Sequence, residues 1–126
     1  MKLLKKILVS GLVAVAMLST SAVFAGKDDA KVAEALKNTL AKLQEVVTLA
    51  ESGGDQEAIS AGLHEAKQFQ KEFRYEQTER KRQYAAEHIK NALAANKKGD
   101  KAEALTELKA ALAGFQEMKP IYEAAH

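Results

Sequence analysis

Apolar positions recur at steps of three and four along successive stretches of the chain, the period of helices that each bury one face. Val32, Leu36, Leu40, Leu43, Val46, Val47 and Ala50 form the first stripe, which predicts a helix from Asp28 or Asp29, placed to cap it, to about Ser52. Ile59, Leu63, Ala66, Phe69 and Phe73 form the second. A third helix, from about Glu79 to Lys97, places Tyr84, Ala85, His88, Ile89, Ala92 and Leu93 inward or at the seam. Ala104, Leu105, Leu108, Ala111, Leu112, Phe115 and Met118 make the fourth stripe, with Ile121 and Tyr122 still packing beyond it. Pro120 has no N–H for the Gln116 carbonyl, which predicts a kinked or frayed last turn.

The breaks between stripes set the topology. Gly53-Gly54-Asp55 and Lys98-Gly99-Asp100 each combine a helix-ending glycine with an aspartate that caps the next helix. The middle break is less marked. From Gln56 to Lys98 there is no Pro, Gly62 is the sole Gly, and Glu76 to Gln83 is almost wholly polar. One long helix through solvent would invite a swapped dimer. A turn near Tyr75 to Thr78 instead gives helices of comparable length that bury their stripes within one chain, and is the expectation. Glu57-Ala58-Ile59-Ser60 matches Glu103-Ala104-Leu105-Thr106, and Phe69-Gln70 matches Phe115-Gln116 at the same spacing. The predicted fold is therefore all-α: an antiparallel up-down-up-down four-helix bundle built from two similar helical hairpins. Gly62 lies on the buried face in mid-helix, where it costs about 1 kcal/mol against Ala. It is either a tolerated small packing residue or a point where a neighbour or a ligand comes close.

Charge changes the picture at the N-terminus. Lys2, Lys5 and Lys6, the apolar run Ile7 to Leu18 and the small residues of Val23-Phe24-Ala25 have the form of a secretory leader cleaved after Ala25. The domains expected are thus a leader over residues 1–25 and a bundle over 26–126. The chain has 19 basic and 17 acidic residues, and the leader holds three of the lysines and no acid, so the remainder carries 16 basic against 17 acidic. The formal charge of +2 belongs to the leader and gives no reason to expect nucleic-acid binding. The expected location is the periplasm, without stable membrane insertion after cleavage. The chain has no Cys, which excludes thiolate metal sites, thiol redox chemistry and covalent c-type haem.

Candidate chemistry is sparse. With a turn near Glu76, His64 and His88 are equally far from it along the chain, and antiparallel helices would bring them to one height. They could then share copper, nickel or zinc, with Glu65 and Glu87 as oxygen donors. The alternative is a pair of ordinary surface or seam histidines. Arg74, Arg80, Lys81 and Arg82 cluster at one end, interleaved with Glu72, Glu76 and Glu79, and read as a solvated, internally paired tip. Ser and Thr have no His at a spacing that suggests a nucleophile, and there is no Gly-rich phosphate loop. The chain is expected to be non-enzymatic.

The leader, the Cys-free remainder and the final hairpin IKNALAANKKGDKAEALTELKAALAGF resemble the soluble periplasmic cytochrome b562 family over most of the chain after the leader. That resemblance implies an up-down four-helix bundle holding non-covalent haem b. The family's axial ligands are a Met near the start of the first helix and a His near the end of the fourth. This chain has Val32 and Ala33 at the first place and Met118-Lys119-Pro120 near the second, which leaves Met118 as the candidate haem ligand. The same hairpin, with His88 four residues before Ala92, also looks like the periplasmic small metal-binding proteins. Two functions are therefore expected: a periplasmic carrier of haem or a transition-metal ion, or a cofactor-free structural or chaperone-like protein-interaction module.

Overall fold

Glycine and aspartate do the punctuation that the sequence assigns to them. The computed structural model describes residues 27–126; the expected leader lies outside the described residues. Helix α1 spans Lys27–Glu51, α2 Gln56–Lys71, α3 Glu79–Lys98 and α4 Lys101–Ala124. A 3-10 turn over Glu76–Thr78 leads into α3. Among the described residues there is no strand, and no helix is long and apolar enough to cross a membrane. Gly53 and Gly99 take the left-handed conformation, at φ 75° and 84°, where a side chain would be strained. Asp55 accepts from the Ala58 N–H at 3.3 Å and Asp100 from the Glu103 N–H at 3.1 Å, capping α2 and α4. At α1 the expectation fails: the helix begins at Lys27, so Asp28 and Asp29 stand inside its first turn, not ahead of it.

The buried positions follow a heptad step of three and four. They run 59, 63, 66, 70, 73 from α2 into the following turn, 82, 85, 89, 92, 96 along α3, and 104, 108, 111, 115, 118, 122 along α4. Such a seam suits helices crossing at a shallow angle with side chains interlocked. Leu43, Leu63, Phe73, Ile89, Phe115 and Met118 are fully enclosed in the one core that results. The seam corrects three readings of the sequence. Gln70, not Phe69, lies on it, and Phe69 is half-buried. Arg82 lies on it and is buried, although it belongs to the expected solvated tip. Tyr84, expected inward or at the seam, falls between seam positions and is 70 % exposed.

The internal repeat also needs a correction of register. Buried residues of α2 and α4 correspond at a spacing of 45, as do their caps Asp55 and Asp100. The sequence matches around Ile59 and Phe69 are spaced by 46 and so are one residue out of step. Buried residues Leu36, Thr39, Leu43 and Val46 of α1 correspond to Arg82, Ala85, Ile89 and Ala92 of α3 at 46. The difference is absorbed in the connections, where Ser52 to Asp55 separates the first pair of helices and only Gly99-Asp100 the second.

Side-chain pairs tie the helices at matching heights. Gln56 at the start of α2 donates to the Asn96 carbonyl at 2.5 Å, and Asn96 near the end of α3 donates to the Gln56 carbonyl at 3.0 Å. At the other end of the same two helices, Arg82 donates to Gln70 Oε1 at 2.6 Å. Lys42 of α1 bridges to Glu65 of α2 at 2.9 Å, and Lys109 of α4 to Glu51 of α1 at 3.0 Å. Burial pulls the Lys42 ammonium pKa down, but its hydrogen bonds to Glu65 and Glu45 outweigh that and hold it above the ordinary lysine value. Among the described residues no buried side-chain polar atom lacks a partner.

Pro120 does not fray α4, which continues as helix to Ala124. Ile121 is half-buried and Tyr122 buried, so packing beyond the proline holds the turn in place. Gly62 resolves as a close approach: a Cβ there would collide with Val46 Cγ2 of α1. Gly62→Ala is expected to lose about 1 kcal/mol in urea denaturation, because overpacking exceeds the gain in helix propensity. Combined with Val46→Ala, the loss should be less than additive by about 1 kcal/mol. Strict additivity would show that Gly62 is merely tolerated.

Candidate functional site

The most distinctive surface lies between α3 and α4. Lys81, Tyr84, Ala85 and His88 on α3 and Ala110, Ala113, Gly114 and Glu117 on α4 follow the same steps of three and four, so each set lines one side of a groove. The groove has a volume of about 720 Å³ and opens to solvent. Its floor exists because α4 has no side chain at Gly114: a Cβ there would meet the Ala85 methyl at 3.0 Å, tighter than ordinary contact. Tyr84 stands on its rim and is the one large apolar side chain left exposed among the described residues.

Polar pairs span the two helices at both ends of the groove. Lys81 Nζ lies 3.9 Å from Glu117 Oε1. At the other end His88 Nδ1 lies 2.6 Å from Glu107 Oε1, and Asn91 Nδ2 donates to the same oxygen at 3.4 Å. The hydrogen bond with His88, helped by Asn91, holds the Glu107 carboxyl below the usual glutamate range against the opposing effect of burial.

The other polar cluster is structural in form. Arg82 donates from Nη2 to Glu79 Oε2 at 2.5 Å, from Nε to Oε1 at 3.3 Å, and from Nη1 to Gln70. Arg74 reaches Glu79 Oε2 from the outside at 3.1 Å. The hydrogen bond from Arg82, joined by the Arg74 charge, lowers the Glu79 pKa. Beside it Phe73, Tyr75, Tyr122 and His126 form a ring cluster, with Tyr122 and His126 stacked at 4.0 Å.

The residues expected to carry chemistry are dispersed. His64 is exposed on α2, Glu65 faces Lys42 of α1, Glu87 lies 3.9 Å from Lys90 of its own helix, and His88 turns to Glu107. Among the described residues no three or more His, Asp or Glu side chains converge as a metal cage. Glu65 and His88 are thus each paired across two helices, but with different partners and at different seams. Glu107, the partner of His88, is not legible from the middle turn, since it is the short Gly99-Asp100 connection between α3 and α4 that brings the two side chains together. Met118 is fully buried in the cluster that holds Phe73 and Phe115. The residues present do not fit haem there, since a macrocycle would have to displace that close-packed core. The small cavity bounded by Gly54, Leu63 and Leu108 measures about 20 Å³, room for a single water. No family model, curated protein or solved structure matches this chain, so the likeness to cytochrome b562 rests on its sequence alone.

Proposed function

We propose that this chain is an exported, non-enzymatic protein-interaction module of the periplasm, an antiparallel up-down-up-down bundle of two similar helical hairpins that works without a cofactor. The pairings of Gln56 with Asn96, Arg82 with Gln70, Lys81 with Glu117 and His88 with Glu107 support that topology, because contacts descend one helix as they climb the next. The observation that carries the function is Tyr84, 70 % exposed on the rim of a groove floored by Ala113 and Gly114. Tyrosine presents a large apolar ring with a polar tip at small entropic cost, which favours it at interfaces. A photo-crosslinking amino acid replacing Tyr84 in the native host should give a discrete protein adduct. The same probe at Glu57, exposed on α2, should not. Equal or absent adducts at both positions would defeat the proposal.

A second reading, binding of copper, nickel or zinc, draws on His88 and Glu107. An imidazole and a carboxylate 2.6 Å apart can turn to one cation and supply two donors, with water completing the shell. Zinc titration by calorimetry should then give one site that His88→Ala abolishes, and a flat isotherm would remove this reading.

A further inference from the structure

We infer that the groove between α3 and α4 is occupied by the same groove of a second copy of this chain, the two related by a two-fold axis running along the helices. This rests on the interaction reading above and names its partner. The charges and shapes of the groove are ordered by height. At one end Lys81 of α3 stands beside Glu117 of α4, 3.9 Å apart. At the middle Tyr84 stands across from Ala113 and Gly114, and at the other end His88 stands beside Glu107. At these three heights α3 contributes the lysine, the tyrosine or the imidazole and α4 a carboxylate or a small residue, with Ala85 and Gln116 lining the groove between them.

A two-fold axis parallel to the helices lays α3 of one copy over α4 of the other without changing height. Lys81 then faces Glu117 of the partner subunit, and Tyr84 faces Ala113 and Gly114 of the partner subunit. His88 faces Glu107 of the partner subunit, and symmetry supplies each contact twice. An axis across the helices would instead lay α3 over α3 in reverse and bring Lys81 onto His88 of the partner subunit, with Glu117 near Glu107 of the partner subunit. The two carboxylates repel each other there, and no lysine meets a carboxylate. The long separation of Lys81 and Glu117 within the chain leaves both with charge to offer outward.

Sedimentation equilibrium of the purified protein, with circular dichroism on the same samples, tests this. The wild type should move from protomer mass to twice that mass as concentration rises. Tyr84→Ser should raise the dissociation constant tenfold or more with helicity and melting temperature unchanged, since serine and tyrosine have similar helix propensity and the ring is mostly exposed. Lys81→Glu and Glu117→Lys should each be monomeric where the wild type is dimeric. An equimolar mixture of the two should recover the dimer, because only the mixed pair restores opposite charges at both contacts. A wild type that stays at protomer mass up to about 1 mM, the weak end of specific association, would overturn the inference. So would a Lys81→Glu variant that dimerises as well as the wild type. An adduct from position 84 with a different protein, and none with itself, would overturn the second copy while leaving the interaction reading intact.

Discussion

Replacing Arg82 with alanine is expected to destabilise the protein by about 2–3 kcal/mol, the cost of breaking a largely buried ionic network from one side. Its guanidinium is only 10 % exposed and donates to both Glu79 and Gln70. Alanine would leave Gln70 Oε1 unpartnered inside the seam and Glu79 with only Arg74. The magnitude sits at or below the low end for buried pairs because the Glu79 side chain is 27 % exposed and water can reach it. For a domain of this size the midpoint should fall by roughly 10–20 °C in a thermal melt. Arg82→Lys should recover only part of the loss, since an ammonium has the charge but not the planar fork that serves two acceptors at once. The pH dependence has a definite sign. Glu79 titrates below its ordinary value of 4.5, so the pair contributes fully above that value and its contribution disappears as the pH falls through the depressed Glu79 value. The gap between wild type and Arg82→Ala should therefore be full at pH 7 and shrink below pH 4.5. A variant within 0.5 kcal/mol of wild type in urea denaturation, the range of ordinary surface changes, would show that Arg82 is a surface charge after all.

Arg82 also marks where the sequence stops being readable by type and starts being readable by position. The caps at Asp55 and Asp100 and the glycine stops were legible because each acts through its own backbone. The apolar stripes were legible because burial of Leu63, Ile89 or Leu108 follows from periodicity alone. Arg82, Gln70 and Asn96 were not, since they occupy seam positions with polar side chains and are buried only because each finds a partner on a neighbouring helix. Stepping the α3 seam back from Ile89 and Ala85 lands on Arg82, and the same step leaves Tyr84 outside. Strict heptad counting would have placed both. The groove was illegible for another reason. It depends on how closely Gly114 lets α4 approach Ala85, a property of two helices and not of either one. Glu107 as the partner of His88 needed the same pairing of heights across the Gly99 turn.

Phe73→Ala is expected to cost about 3–5 kcal/mol, the range for emptying a phenylalanine-sized site in a core. Phe73 is fully buried, yet it lies outside any helix, two residues past the end of α2. Its ring packs edge-on against Tyr122 at 5.7 Å, and Tyr75 packs against the same ring at 5.3 Å. Backbone bonds from Phe73 to the Gln70 carbonyl and from Thr78 to the Tyr75 carbonyl close the chain around that plug. This turn has no glycine and no proline to enforce it, so its stability must come from what it buries. The stretch from Gln56 to Lys98 has the composition of one long helix, and Phe73, with Tyr75 and buried Thr78, is what makes the turn the better solution. Phe69→Ala, four residues earlier and half-buried on α2, should cost about half as much, since it removes less enclosed surface and leaves the turn plugged. Phe73→Leu, which keeps most of the volume, should recover most of the stability. Chemical denaturation of the three variants decides it. If Phe69→Ala proves as costly as Phe73→Ala, the turn is held by the helices on either side of it and not by the aromatic plug between them.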